Sequence, residues 1–155
     1  MLTSRMAYRF ERLSASDLPY ARALLAVFAV AFGEPEMYQA RPASDDYLAE
    51  LLAKPHVLTL VALEGQTVVG GLVAYELEKL ERARSEIYIY DLAVDEAHRR
   101  RGVATGLIRA LGRIAKPRGA WVMFVQADRE DTPAIRLYES LGKREDVHHF
   151  DIEVD

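Results

Sequence analysis

Three consecutive arginines, Arg99, Arg100 and Arg101, stand directly before Gly102, and the small residues Ala104, Thr105 and Gly106 follow. A helix opening at this point presents unsatisfied N–H groups and the positive end of its dipole, so the turn favours an anion. Gly102 lacks a Cβ, which lets phosphate oxygens reach the backbone, and arginines around the rim add charge-assisted hydrogen bonds. The knot suits a pyrophosphate. Neither G-x-x-x-x-G-K-[ST] nor G-x-G-x-x-G occurs, so the P-loop and dinucleotide-fold readings fail.

Other residue types narrow the chemistry further. Cysteine is absent, which removes the most obvious nucleophile, any disulfide and any thiolate metal site. His148 and His149 are adjacent on a predicted strand and point to opposite faces, and no spaced ligand cluster exists, so no metal is expected. Carboxylates stand near predicted strand ends at Glu86, Asp91, Asp128 and Asp151. Ideal alternation puts Asp91 on the face opposite Tyr88 and Tyr90; a bulge would reverse that parity.

The chain has 155 residues, 50% hydrophobic, about the size of one compact domain, and we read 1–155 as a single domain. Its net charge of -4 argues against nucleic acid, because phosphate neutralisation needs a broad basic face and only one short basic knot is present. Acids gather instead around Glu34 and Glu36, Asp45–Glu50, Asp128–Asp131 and Asp151–Asp155, and a cationic partner is their complement. Met1–Phe10 lacks the apolar core of a secretory signal, and "ARALLAVFAVAFG" is too short to span a membrane. We therefore expect a soluble cytoplasmic protein.

Periodicity supplies the elements that must position these groups. "YRFERL" alternates as a first strand. A helix capped at Ser16, with Pro19 in its first turn, stops at Gly33, and "GEPEMYQARP" is a loop. Ser44 caps a second helix that ends at Pro55. "HVLTLVAL" and "TVVGGLVAYELEKL" form a hairpin through Gly65, and "RSEIYIYDLAV" is a further long strand. The helix after Gly102 buries Val103, Leu107, Ile108, Leu111 and Ile114 and ends at Pro117–Gly119. "AWVMFVQAD" is a strand, "DTPAIRLYESLG" a helix and "VHHFDIEV" a closing strand. This is an α/β (α+β) order: a mixed, mostly antiparallel sheet with a parallel crossover at 86–125 and about four flanking helices.

The stretch R-x-x-G-x-A, Arg99–Ala104, resembles the acetyl-CoA pyrophosphate motif of the GNAT acyltransferase superfamily, and "DTPAIRLYESLG" resembles its later signature N-x-x-A-x-x-L-Y-x-x-L-G-F. The second match falls on Asp131, Ala134, Leu137, Tyr138, Leu141 and Gly142, with Asp131 in place of the usual Asn and Lys143 in place of the usual Phe. From about Asp45 to Ile152 the chain further resembles the type I aminoglycoside 3-N-acetyltransferases, down to "YIYDLAV" and "HFDI".

The resemblance implies a GNAT fold whose sheet splays between its fourth and fifth strands, and direct acetyl transfer from acetyl-CoA to a primary amine. It gives coenzyme A to the backbone of Leu92, Ala93 and Val94, to Arg99, Arg100, Arg101, Gly102, Val103, Ala104 and Thr105, and to Asp131, Ala134 and Tyr138. Tyr138 would protonate the departing thiolate. In related folds the base sits on the central strand, where Tyr88 and Tyr90 occur, and the adjacent Asp91, acting through water, is the carboxylate we favour. Glu34, Tyr88, Asp128 and Asp151 would hold a polycationic acceptor, whose mutually repelling ammonium groups lower one another's pKa. An aminoglycoside, a polyamine or a metabolite aminosugar fits that description, and a homodimer is expected. A non-catalytic acyl-CoA-binding regulator ranks below these, because Tyr138 is present.

Overall fold

A computed structural model describes residues 7–155, so the expectations for Met1–Met6 lie outside the described residues. The chain divides into two compact units, Met1–Val125 and Gln126–Asp155.

The first unit is built on a five-stranded sheet in the order β1-β2-β3-β4-β5: β1 (Arg9–Arg12), β2 (Val57–Glu64), β3 (Thr67–Glu78), β4 (Ser85–Val94) and β5 (Ala120–Val125). β1 to β4 form an antiparallel meander, and β5 runs parallel to β4. β2, "VLTLVALE", is buried along almost its whole length because helices cover both faces there.

One face carries α1 (Leu18–Ala31) and α3 (Asp45–Ala53); Leu24, Phe28 and Leu52 pack on Val61, Leu63 and Ala93. The approach of α1 is set by Gly71, where an added Cβ would lie 2.5 Å from both Leu24 Cδ1 and the Leu60 carbonyl oxygen. Helix α4 (Val103–Ala115) covers the opposite face with Leu107 and Leu111, both fully buried. Alternation assigns Leu72, Ala74, Ile87 and Ile89 to that α4 face, and Val73, Tyr75 and Tyr88 to the α1 face.

Several local expectations are corrected. Helix α1 begins after Asp17 rather than Ser16, and Asp17 makes no side-chain cap; its carboxylate accepts from Ser14 N–H and the Ser14 hydroxyl instead. The expected loop after Gly33 contains a fifth helix, α2 (Pro35–Ala40), because Pro35 sits at a helix start, where a missing N–H costs nothing. Ser44 does cap α3, accepting from Tyr47 N–H at 3.1 Å. β5 ends at Val125, three residues before Asp128.

In the second unit, α5 (Thr132–Leu141) is capped by Asp131, whose carboxylate accepts from Ala134 N–H at 3.2 Å. The closing strand expected at "VHHFDIEV" does not form: no residue after Leu141 enters a ladder, and Phe150, Ile152 and Val154 are exposed. Its alternation signals a preference for strand, but a strand also needs a partner edge.

Candidate active site

β4 connects the two halves of the site. Its pairing with β5 stops at Ile89↔Val125, while its pairing with β3 continues to Val94. Residues 90–94 thus form the open side of a splay with no ladder partner on the β5 side. Leu92 and Ala93 lie in this stretch as expected. The Val94 carbonyl accepts from Arg99 Nε at 3.2 Å, so part of what it could offer a ligand is already engaged by the neighbouring turn.

That turn is held by four contacts. Asp95 N–H donates to the Val69 carbonyl at 2.8 Å, and His98 N–H to Asp95 at 2.9 Å. His98 Nδ1 lies 2.9 Å from the hydroxyl of Tyr8, just before β1, and 3.8 Å from a Glu64 oxygen on β2. Beyond it the backbone enters the left-handed region twice, at Arg100 (φ 61°) and Gly102 (φ 77°).

Gly102 is the N-cap of α4, and the first helical bond runs from Gly106 N–H to the Gly102 carbonyl at 2.9 Å. The N–H groups of Val103, Ala104 and Thr105 precede any helical acceptor and point out of the helix mouth. A Cβ on Gly102 would meet no protein atom within 4 Å, so the space beside the backbone is open to an incoming group. Arg99, Arg100 and Arg101 are exposed around it. This cradle fits a pyrophosphate. Next to Arg99, a cleft of about 270 Å³ runs between Val27, Val30 and Ala31 of α1 and Val94–Glu96.

The groups expected to do acid–base work lie farther back along β4. Ile89 pairs with Ala74 and Asp91 with Val73, so Tyr90 is an inserted residue, a β-bulge. The bulge shifts the parity: Asp91 joins Tyr88 and Tyr75 on the α1 face instead of facing α4. Tyr88 stacks on Phe124 of β5, centroids 4.7 Å apart, and Tyr90 meets Tyr88 edge-on at 5.5 Å.

Asp91 is partly buried, and that desolvation raises its pKa above the ordinary carboxylate value. Tyr88 is pushed up by burial, then by Tyr90 and the Asp91 charge. Tyr38 of α2 is raised by burial, then by Asp91 and by Glu34. Glu34, expected at the acceptor, and Asp91 thus both act on the Tyr38 hydroxyl. Sequence reasoning missed Tyr75, Tyr38 and Tyr47: cross-strand register brings Tyr75, and the unexpected α2 brings Tyr38, toward Asp91, while Tyr47 stands on the expected helix α3 and acts on the Tyr75 hydroxyl.

In the second unit, burial and then the charge of Asp131 push the Tyr138 hydroxyl up to about 12. Its proton therefore stays on at neutral pH. Asp131, whose side chain caps α5, exchanges the usual amide contact for a structural one. Asp128 and Asp151 are exposed, Asp151 lying 2.9 Å from His149 Nε2.

Residues 21–143, which include the splay, the arginine-glycine turn and α5, match the acetyltransferase (GNAT) family. The chain belongs to that family. GNAT acetyltransferases generally use acetyl-CoA. An aminoglycoside acetyltransferase from an uncultured soil metagenomic sample is 50% identical with a TM-score of 0.94, over 97% of this chain and 100% of its own. Another from such a sample, solved in complex with sisomicin, is 33% identical with a TM-score of 0.88, over 96% of this chain and 97% of its own.

Rat N-acetyltransferase family 8 member 2 is 28% identical over 90 residues, 58% of this chain but only 40% of its own length. At 23% identity and a TM-score of 0.74, a ribosomal-protein-alanine N-acetyltransferase from Brucella melitensis shares the fold, covering 96% of this chain and 100% of its own. No helix among the described residues is long and apolar enough to cross a membrane.

Proposed function

We propose that this GNAT acetyltransferase acts as one domain over residues 1–155 and transfers acetyl from acetyl-CoA to a primary amine of an aminoglycoside, at the 3-N position, as a resistance enzyme of the cytoplasm. The observation that carries the reading is the bulge at Tyr90, which turns Asp91 toward the acceptor side directly beside the opened strand edge. The 50% and 33% identical relatives are named as aminoglycoside acetyltransferases, one of them in complex with such a drug, and this supports the substrate class.

Coenzyme A, when bound, supplies the activated acetyl group as a thioester. The N–H groups of Val103, Ala104 and Thr105, with Arg99, Arg100 and Arg101, hold its pyrophosphate, and the backbone of Leu92 and Ala93 aligns the arm along the splay. Asp91, whose pKa burial raises, accepts a proton from the acceptor ammonium through water, and is a better base than an exposed aspartate. Tyr138 serves the departing sulfur by donating a hydrogen bond. Full proton transfer from a hydroxyl near 12 to a thiolate whose acid has a pKa of about 8.5 runs uphill. The exposed alternation of Phe150, Ile152 and Val154 supports association of two copies as a homodimer.

The test is a panel of gentamicin, kanamycin, spermidine, glucosamine and a peptide amine, read by thiol release and by mass. A one-acetyl shift on the drugs, with NMR assignment to the 3-amino group, is expected. Transfer to the peptide alone would overturn the reading, and transfer to spermidine alone would move the substrate to a polyamine.

A further inference from the structure

Beside Asp91 stands a pair of rings that the reaction itself does not use. Tyr75, on β3 opposite Tyr88, meets Tyr90 edge-on, with centroids 6.1 Å apart and planes at 83°. Tyr90 is 63% exposed although it belongs to an interior strand, because the bulge lifts it out of the pleat. Tyr47 of α3 is 57% exposed, and its influence reaches the Tyr75 hydroxyl, as does that of Asp91. Burial is the one influence on Asp91 itself, and no lysine or arginine among the described residues pairs with it. The exposed ring of Tyr90, the Tyr75 ring edge-on to it and a partly buried carboxylate with no cationic partner among the described residues are complementary to a positive charge.

We propose that Tyr75 and Tyr90, with Asp91, form a seat for a second, non-reacting ammonium group of the acceptor, on the β3 flank of Asp91 away from the splay. This rests on the acceptor reading given above and adds to it a rule of selection: the site prefers amines that carry another protonated nitrogen. A cation against the ring faces gains from the quadrupole of each tyrosine, and from Asp91 while that group is ionised. An amine without a second charge leaves the seat to water and gains nothing from it.

The test is calorimetric titration of kanamycin, spermidine and glucosamine into the full chain, beside Tyr75→Leu and Tyr75→Phe. Tyr75→Leu is expected to weaken kanamycin and spermidine about fivefold to tenfold while leaving glucosamine unchanged, and Tyr75→Phe, which keeps the ring, to restore the wild-type affinity. Tetramethylammonium, a cation that cannot be acetylated, is expected to compete with kanamycin for the wild-type chain, so the seat is tested even where a variant folds poorly.

Equal losses for glucosamine, unchanged polyamine binding in Tyr75→Leu, or absence of competition by tetramethylammonium would overturn the seat. If the wild-type chain binds the polyamines in this pattern but transfers no acetyl group to any of them, the proposed function falls and the seat stands.

Discussion

Asp91 lies opposite Val73, one residue out of the register that Ile89 and Ala74 establish on the same two strands. A single inserted residue thereby converts a carboxylate that would face α4 into one beside Tyr88 and Tyr75. Its partial burial is the origin of its raised pKa, and that has a consequence for stability.

In the folded chain Asp91 holds its proton to higher pH than in the unfolded chain. The stability this group contributes is therefore greatest below the unfolded value of about 3.9 and is lost as pH rises through the elevated folded value. Asp91→Asn is expected to melt about one or two degrees above the wild type at pH 7, with the gap closing toward pH 4. Thermal melts across that range check it. In the same variant kcat should fall about 100-fold or more, the usual share of a positioned base.

Tyr138→Phe removes a hydroxyl that keeps its proton across the physiological range. If the hydroxyl steadies a thiolate by hydrogen bonding, kcat falls by about 10- to 100-fold while KM for the acceptor stays close to wild type. Steady-state kinetics with saturating acetyl-CoA and varied drug measure both. A wild-type rate would make the tyrosine a packing residue.

Gly102→Val separates the two demands on that position. A Cβ there meets no described atom within 4 Å, so the main folding cost is that of a left-handed backbone, about 1–2 kcal/mol. The same side chain occupies the space through which phosphate oxygens reach the helix mouth. Coenzyme affinity should drop by about 10- to 100-fold, and titration of coenzyme A alone measures it.

Gly71→Ala should leave coenzyme affinity alone and affect the fold. The added methyl would lie 2.5 Å from the Leu60 carbonyl oxygen, a backbone atom that cannot move aside. We expect a loss of about 1–3 kcal/mol in urea unfolding, with α1 displaced from the sheet.

How much of this was legible in the sequence varies with how local the signal is. The turn at Arg99–Gly102, the cap at Ser44 and helix α5 are written in short stretches whose backbone needs are set by their own residues, and all three form as read. Asp91 could be read only up to a fork, since the sequence permits a bulge without requiring one; the choice is made by pairing with β3. Helix α2 was hidden because Pro35 and Gly33 read equally well as loop residues or as boundaries. The closing strand was over-read, since Phe150, Ile152 and Val154 carry the alternation without a ladder to join. Tyr75 stands thirteen residues before Tyr88, and no periodicity links them until the two strands are laid side by side.

The arginine-glycine turn carries one further implication. Arg100 holds φ 61°, an angle that residues with side chains enter at a cost of about 1 kcal/mol. On the proposed function, the donor's diphosphate meets this turn and the exposed guanidinium groups of Arg99, Arg100 and Arg101. Arrival of the donor should then be paced by diffusion and by attraction to the guanidinium rim, making its association rate fall steeply with added salt while its departure rate barely changes.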